Sequence, residues 1–403
     1  MDKKVFHLTA FFLFSILLIV LFSGCITEEH ASETITEMVQ PEVLLDQPSI
    51  LPDWNDGECH NYFGTTKMLN GFDKQYPDLV KVFSLGKSVL GKDIWCIRVT
   101  NEKCKEDKSS CLIDGCIHGG EWEGGEVCLY LADYLLINFG ENETITHVLN
   151  SSEVYLIPII NPDSRQLDFR LDDSRFNANG IDLNRNFDID FGRLRGSVIP
   201  LGKLFNRISI STLPLNPSRN FTLIHRLFPR FPLWFTNCGR HPFSEPESQA
   251  MRDFMTNLGT KDFSFYVNCH CATHCIGYPW DAVKPPFEIS KQEHFIYDYV
   301  LDWVVENTEY ERVDDISSMD YKASGDVTDW CFKEFHTPSF YFEILSLDYN
   351  TKLVTSKHDH LVHWMQTTLP VFMYLLVNID NLREWRTPDI QPHLPEGVPP
   401  EPL

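Results

Sequence analysis

Val154-Tyr155-Leu156-Ile157-Pro158-Ile159-Ile160 is a run of apolar residues with no charge in it. A strand with one wet face alternates apolar and polar side chains, and this run does not. It reads as a strand buried on both faces, which is the signature of a sheet covered by helices on each side. Similar strand-like runs occur at Leu79–Leu85, Asp93–Val99, Cys111–Ile117, Phe263–His270 and Ser339–Leu345. Helical periodicity lies between and after them, at Glu126–Asn138, Glu247–Leu258, Lys291–Asn307 and Leu361–Val377. The alternation predicts the α/β class: a three-layer α/β/α sandwich around a mixed, mostly parallel twisted sheet. Such sheets bind ligands at the carboxyl ends of their strands. His118, His270 and Glu343 all fall at or just past such ends.

The 403 residues are 43% hydrophobic and 13% aromatic, enough for a sizeable core. Acidic residues outnumber basic ones 57 to 34, a net charge of −23. That surface repels phosphate backbones, which excludes general nucleic-acid binding, and it attracts cationic peptides. The negative charge is not evenly spread. Residues 191–238 hold no Asp or Glu and seven basic residues, so the rest of the chain carries −30. This stretch, rich in Phe, Leu and Ile, reads as an insertion: either a subdomain packed on the acidic body or a lid or membrane-facing element.

The first residues resemble a targeting segment. Lys3 and Lys4 precede an apolar run from Val5 to Phe22, followed by Ser23-Gly24-Cys25. Residues 1–24 are read as a signal peptide that leaves Cys25 as a lipidated end, or alternatively as an uncleaved membrane anchor. Residues 25–54 are acidic and read as a flexible tether. Residues 386–403 form a Pro-rich tail. The expected location is the extracellular face of the cell membrane. Twelve cysteines suit an oxidising compartment, and Cys104 with Cys111 is the favoured bridge across the polar loop between them. Asn142, Asn150 and Asn220 each begin an Asn-x-Ser/Thr triplet.

His118-Gly119-Gly120-Glu121 places an imidazole and a carboxylate one turn apart, and His270 sits far downstream in a strand-like run. A catalytic zinc takes three protein ligands and leaves a fourth position open. The cluster Cys269-His270-Cys271-Ala272-Thr273-His274-Cys275 is an alternative metal site, although strand geometry points Cys269 and Cys271 away from His270.

Further motifs follow in order. Arg175 precedes Asn179-Gly180-Ile181-Asp182-Leu183-Asn184-Arg185-Asn186-Phe187. Then come Ser244-Glu245-Pro246-Glu247, Asn268-Cys269-His270, Tyr278-Pro279, Tyr321-Lys322-Ala323-Ser324-Gly325-Asp326 and Phe342-Glu343. This series resembles the zinc metallocarboxypeptidases, the family of pancreatic carboxypeptidases A and B and the regulatory carboxypeptidases, across about Asp56 to Asn378. The resemblance implies a carboxypeptidase domain over residues 55–385 that binds one Zn2+ per chain through His118, Glu121 and His270. It implies Glu343 as general base and Arg175 as the arginine that polarises the scissile carbonyl. It also implies Asn184 and Arg185 as the pair that grips the substrate's terminal carboxylate, and Tyr321 as a tyrosine that closes over it. Peptide or protein C-termini would be the substrates.

Physical chemistry favours the same roles. Glu343 lies among Phe340, Tyr341, Phe342, Ile344 and Leu345, a setting that raises a carboxyl pKa. An arginine fork suits a carboxylate better than lysine does. For Glu343 the competing reading is a solvated strand face; for Arg175 and Arg185 it is a surface salt bridge. Thr328 stands at the position where pancreatic enzymes select a side chain, and Asp281 where regulatory enzymes carry an acid for C-terminal Lys or Arg. Asp326 adds to that acid. Thr328, not being an acid, says little, but the family position of Asp281 implies basic C-terminal residues, with aromatic or aliphatic ones as the alternative. Two other functions stay open: a related zinc hydrolase of cell-wall peptides or small amino-acid amides, and a non-catalytic peptide-binding lipoprotein.

Overall fold

A computed structural model of the chain describes residues 59–165, 172–193, 237–260, 263–271, 273–313, 322–344 and 358–384. The leader, the tether, most of the 191–238 insertion, the Pro-rich tail, Asn220 and Tyr321 lie outside these residues. Among the described residues no helix is long and apolar enough to cross a membrane.

Eight strands form one sheet: β1 (Val80–Lys87), β2 (Asp93–Val99), β3 (Ser109–Gly115), β4 (Ser152–Ile157), β5 (Phe263–Cys271), β6 (Cys275–Gly277), β7 (Glu311–Val313) and β8 (Ser339–Ile344). Their order is β1-β2-β4-β3-β5-β8-β6-β7. The central four, β4, β3, β5 and β8, are mutually parallel. β1 and β2 add to one edge antiparallel, and β6 pairs antiparallel with β8. Every residue of β3 is buried, as are all but the last of β5, as expected for a sheet covered on both sides. The mixed, mostly parallel sheet expected from the sequence is therefore present.

The described helices are α1 (Tyr62–Gln75), α2 (Trp122–Asn138), α3 (Glu143–Ser151), α4 (Pro162–Arg165), α5 (Pro246–Gly259), α6 (Lys291–Asn307), α7 (Val327–Phe335), α8 (His358–Val377) and α9 (Ile379–Glu384). α2 packs on β3, β4 and β5, with α8 and α9 beside it. It can lie close because Gly124 carries no side chain: a Cβ there would sit 2.8 Å from that of Cys269. On the opposite face α5 and α7 close a core with Leu112, Tyr155 and Tyr266. α5 supplies Met251, Phe254, Met255 and Leu258, and α7 supplies Val327, Trp330 and Phe335. α6 covers the bounds expected from its periodicity and starts with a capping box between Ser290 and Glu293.

Some boundaries differ from the sequence expectation. β3 runs Ser109–Gly115 rather than Cys111–Ile117, because the chain turns out of the sheet at Cys116, whose φ is 53°. β4 ends at Ile157, since Pro158 has no N–H to give a ladder. α2 begins at Trp122, four residues before the expected Glu126, because Gly124 and Gly125 hide its periodicity. The Cys104–Cys111 bridge is not present. Both thiols are free: Cys111 is fully buried in the middle of β3, while Cys104 lies partly exposed in the loop after β2.

Candidate metal centre

The turn after β3 carries the first two ligands. Glu121 N–H donates to His118 O at 3.0 Å and closes that turn. His118 Nδ1 then lies 2.8 Å from Glu121 Oε1, and His270 Nδ1, from β5, lies 2.8 Å from Glu121 Oε2. The two imidazole centroids are 4.9 Å apart. The three ligand atoms all fall within 4.8 Å of one another, the only such group of His, Cys, Asp or Glu among the described residues. Cys269 points to the other side of the sheet, against Gly124, as strand alternation requires. His274 rests its ring on Tyr310, with centroids 4.3 Å apart, outside the ligand group.

Two buried imidazoles and one carboxylate are the donor set of a catalytic zinc site. The surroundings fit it too. His118 Nε2 lies 3.2 Å from Asp182 Oδ1, so its outward N–H donates there and leaves the Nδ1 lone pair for a metal. Asp182 is fully buried and also accepts from Arg175 Nε at 2.8 Å and from Asn184 N–H at 3.2 Å. Burial works against its charge, but Arg175 and His118 prevail and hold its carboxyl well below the usual range. Glu121 behaves alike: burial is outweighed by His118 and His270, and its carboxyl is held low. Burial lowers the His270 imidazole, yet Glu121 outweighs it and raises the value to about 9. A metal bound at Nδ1 takes the place of any proton held there.

Glu343 lies on β8 directly across from His270 on β5, and opposite residues of neighbouring strands share a face. Burial pushes its carboxyl up, with His270 opposing. Arg175 sits at the rim, its Nη1 3.5 Å from His118 Nδ1. Arg185 is buried and donates to Asn184 O at 2.6 Å. Asn184 braces the site: its amide donates to Asp326 Oδ2 at 2.7 Å and lies 3.1 Å from His270 Nε2, while its oxygen accepts from Val327 N–H at 2.9 Å. The side chain is thus already engaged, and a substrate carboxylate would have to share it. Gly325, with φ 78°, lets the loop before α7 lie on the Arg185 backbone, where a Cβ would overlap it. Thr328 is buried in the first turn of α7, and Asp281 is buried against the same helix, its N–H donating to Asp329 at 3.0 Å.

Sequence reasoning quoted Asp182 within its motif but gave it no task. A carboxylate two residues before Asn184 was the available signal. A second buried network was missed outright. His60 Nδ1 lies 2.8 Å from Glu126 Oε2, Arg165 Nη2 donates to Glu126 Oε1 at 3.2 Å and to His60 O, and the Arg165 guanidinium lies 4.2 Å from the Trp122 ring centroid. This network ties the chain before α1 to the helix that follows the His-Glu turn.

A His-Glu-His set with both imidazoles buried at the carboxyl ends of parallel strands, and a carboxylate in register beside it, defines a zinc-hydrolase type of site. The chain belongs to the zinc carboxypeptidase family, whose model matches residues 65–359. It is 24% identical over 307 residues to carboxypeptidase A6 of Mus musculus, covering 73% of this chain and 62% of that protein. It is 32% identical over 141 residues to carboxypeptidase D of Drosophila melanogaster, covering 34% of this chain and only 10% of that much longer protein. In fold it resembles thrombin activatable fibrinolysis inhibitor, with a TM-score of 0.62 and 18% identity over 84% of this chain and 78% of that one. It also resembles carboxypeptidase A of Helicoverpa armigera, with a TM-score of 0.61 and 19% identity over 88% and 78%.

Proposed function

We propose that this chain is a zinc carboxypeptidase that removes the C-terminal residue of peptides, with a preference for Lys or Arg, on the extracellular face of a membrane. The convergence of His118, Glu121 and His270 beside Glu343 carries this reading. When held by these ligands, zinc supplies a Lewis acid that polarises a carbonyl and acidifies water. The protein's own groups do the rest. Glu343 takes a proton from the attacking water as the carbonyl carbon gains its oxygen. It then delivers that proton to the departing amine as the C–N bond breaks. The upward push on its carboxyl strengthens it as a base. Arg175 faces the negative charge that grows on the carbonyl oxygen. Arg185, backed by Asn184, binds the free carboxylate in a planar fork, so the C-terminus sets which bond is cut. Tyr321 closes over the bound residue.

The preference for basic ends rests on Asp281, buried near Arg185, and on the acidic surface. Tethering rests on the apolar leader and Cys25, with the acidic stretch 25–54 as spacer. The test is release of C-terminal residues from a peptide panel, with and without a chelator. Chelation should abolish release, and Lys or Arg ends should be cut fastest. Asp281→Ala should erase that preference and spare other ends. Chelator-insensitive release would refute the metallopeptidase assignment, and unchanged selectivity in Asp281→Ala would refute the pocket.

A further inference from the structure

Three aspartates meet behind Arg185, and they are not equivalent. Asp326 caps α7: its Oδ1 accepts from Thr328 N–H at 2.7 Å and Asp329 N–H at 3.3 Å, and its Oδ2 accepts from Asn184. Asp329 accepts from two backbone groups, Asp281 N–H at 3.0 Å and Ala282 N–H at 2.7 Å, one on each oxygen. Both side chains therefore have their oxygens engaged as acceptors, although burial, with Asp326 beside it, pushes the Asp329 carboxyl up to about 8. Asp281 differs. It is 6% exposed, and its Oδ1 has no partner among the described residues. The buried hydroxyls of Thr328, in the first turn of α7, and of Tyr341, on β8, share that condition. Tyr341 lies across Gly277, where any Cβ would overlap its hydroxyl, and its acidity responds to the Asp281 charge. Buried polar atoms normally find partners, so the unpartnered Asp281 oxygen, with the unpartnered Tyr341 hydroxyl within reach of its charge, points to a polar guest.

We propose that Asp281 carries a proton while the pocket is empty and gives it up when the ammonium or guanidinium of a C-terminal Lys or Arg enters. A buried neutral acid is thereby exchanged for a buried ion pair. This rests on the basic-end preference proposed above and adds its proton balance. The groups facing Asp281 are Asp329 and Asp326 from α7, Arg185 from the turn before it, Lys322 from the loop, Tyr341 from β8 and Cys275 from β6. Burial comes first in holding the Asp281 carboxyl well above its usual range, Asp329 and Asp326 add to it, and Arg185 and Lys322 oppose. A substrate carboxylate on Arg185 weakens that opposition, so a neutral side chain leaves the proton in place. Only an entering cation reverses the balance. The sign follows: the carboxyl sits high in the empty pocket and low in the complex, so affinity for basic ends rises with pH between those two values.

The test is calorimetric titration of the zinc-loaded protein at pH 7 with L-arginine and, separately, L-phenylalanine, in two buffers of different ionisation enthalpy. The two ligands share their α-amino and carboxylate groups, so the difference in proton count isolates the side chain. Arginine should release about one proton more than phenylalanine, and Asp281→Asn should remove that excess. Tighter arginine binding with equal proton counts would overturn the exchange and leave the preference standing. Arginine binding no tighter than phenylalanine would remove the preference and the exchange with it. The wild-type comparison alone decides, whatever the fate of the variant.

Discussion

Replacing Asp182 with Asn changes no volume and removes one charge, yet it should loosen the metal. The carboxylate is fully buried and holds three donors: His118 at 3.2 Å, Arg175 at 2.8 Å and the Asn184 backbone N–H at 3.2 Å. An asparagine keeps one acceptor oxygen, and its amide must face one of the two cationic or N–H partners. If His118 loses its acceptor, its outward proton and ring orientation are no longer held. Loss of such an outer partner typically weakens metal binding about 10- to 100-fold, which is roughly 1.4–2.7 kcal/mol. The Arg175 pair adds less. That guanidinium is 32% exposed, so water screens it, and its share is about 1 kcal/mol or below. The total lies at roughly 1.4–3.7 kcal/mol, most of it in the zinc dissociation constant. A competition titration against a chromophoric chelator reads that constant directly, and peptide turnover at saturating zinc reads what Arg175 loses separately. The folded carboxyl is depressed, so the stability it contributes is present above its unfolded pKa and lost as pH falls through the folded one. The wild-type advantage should therefore persist at neutral pH and shrink in acid. If Asp182→Asn binds zinc indistinguishably from wild type at neutral pH, the carboxylate does not hold His118 and the account of the outer shell is wrong.

Glu343→Gln should keep its zinc, measured by metal analysis, and lose turnover by about 100- to 10,000-fold; near-native rates would remove Glu343 from the proton path. Asp114, fully buried in β3, accepts from Tyr266 OH at 2.7 Å and Asn268 Nδ2 at 2.5 Å, and burial still pushes its carboxyl up to about 7. A raised folded value means that its favourable contribution is full below the unfolded 3.8 and is lost as pH rises through about 7. Asp114→Asn is neutral throughout, so its melting temperature relative to wild type should climb between pH 5 and pH 8; a flat difference would refute this.

The layers and the ligands were legible because each leaves a local mark. Val154–Ile157 shows no alternation since both faces are dry, and His118 with Glu121 sits on one turn. Lys291–Asn307 has both a capping serine and a full apolar stripe. α1 escaped notice because its buried side chains, Tyr62, Thr65, Leu69 and Phe72, are few and diluted by Gly64 and Gly71. α7 spans nine residues, too short for periodicity to stand out. β6 and β7 have three residues each and exist only through their neighbours. Asp182 and the His60–Glu126–Arg165 network are tertiary facts: their partners lie 64, 66 and 39 positions apart in the chain. Cys104 and Cys111 flank a short loop, but the strand that buries Cys111 is built by β4 and β5, which no local window contains.

The opposition of His270 and Glu343 across β5 and β8 has an evolutionary corollary. Their spacing is dictated by the ladder of main-chain hydrogen bonds, so a single residue gained or lost within either strand would turn one of them to the far side of the sheet. Loops carry no such constraint. A protein built this way can accept long additions between its strands while the distance from ligand to base stays the same, and new substrates can be explored without disturbing the chemistry.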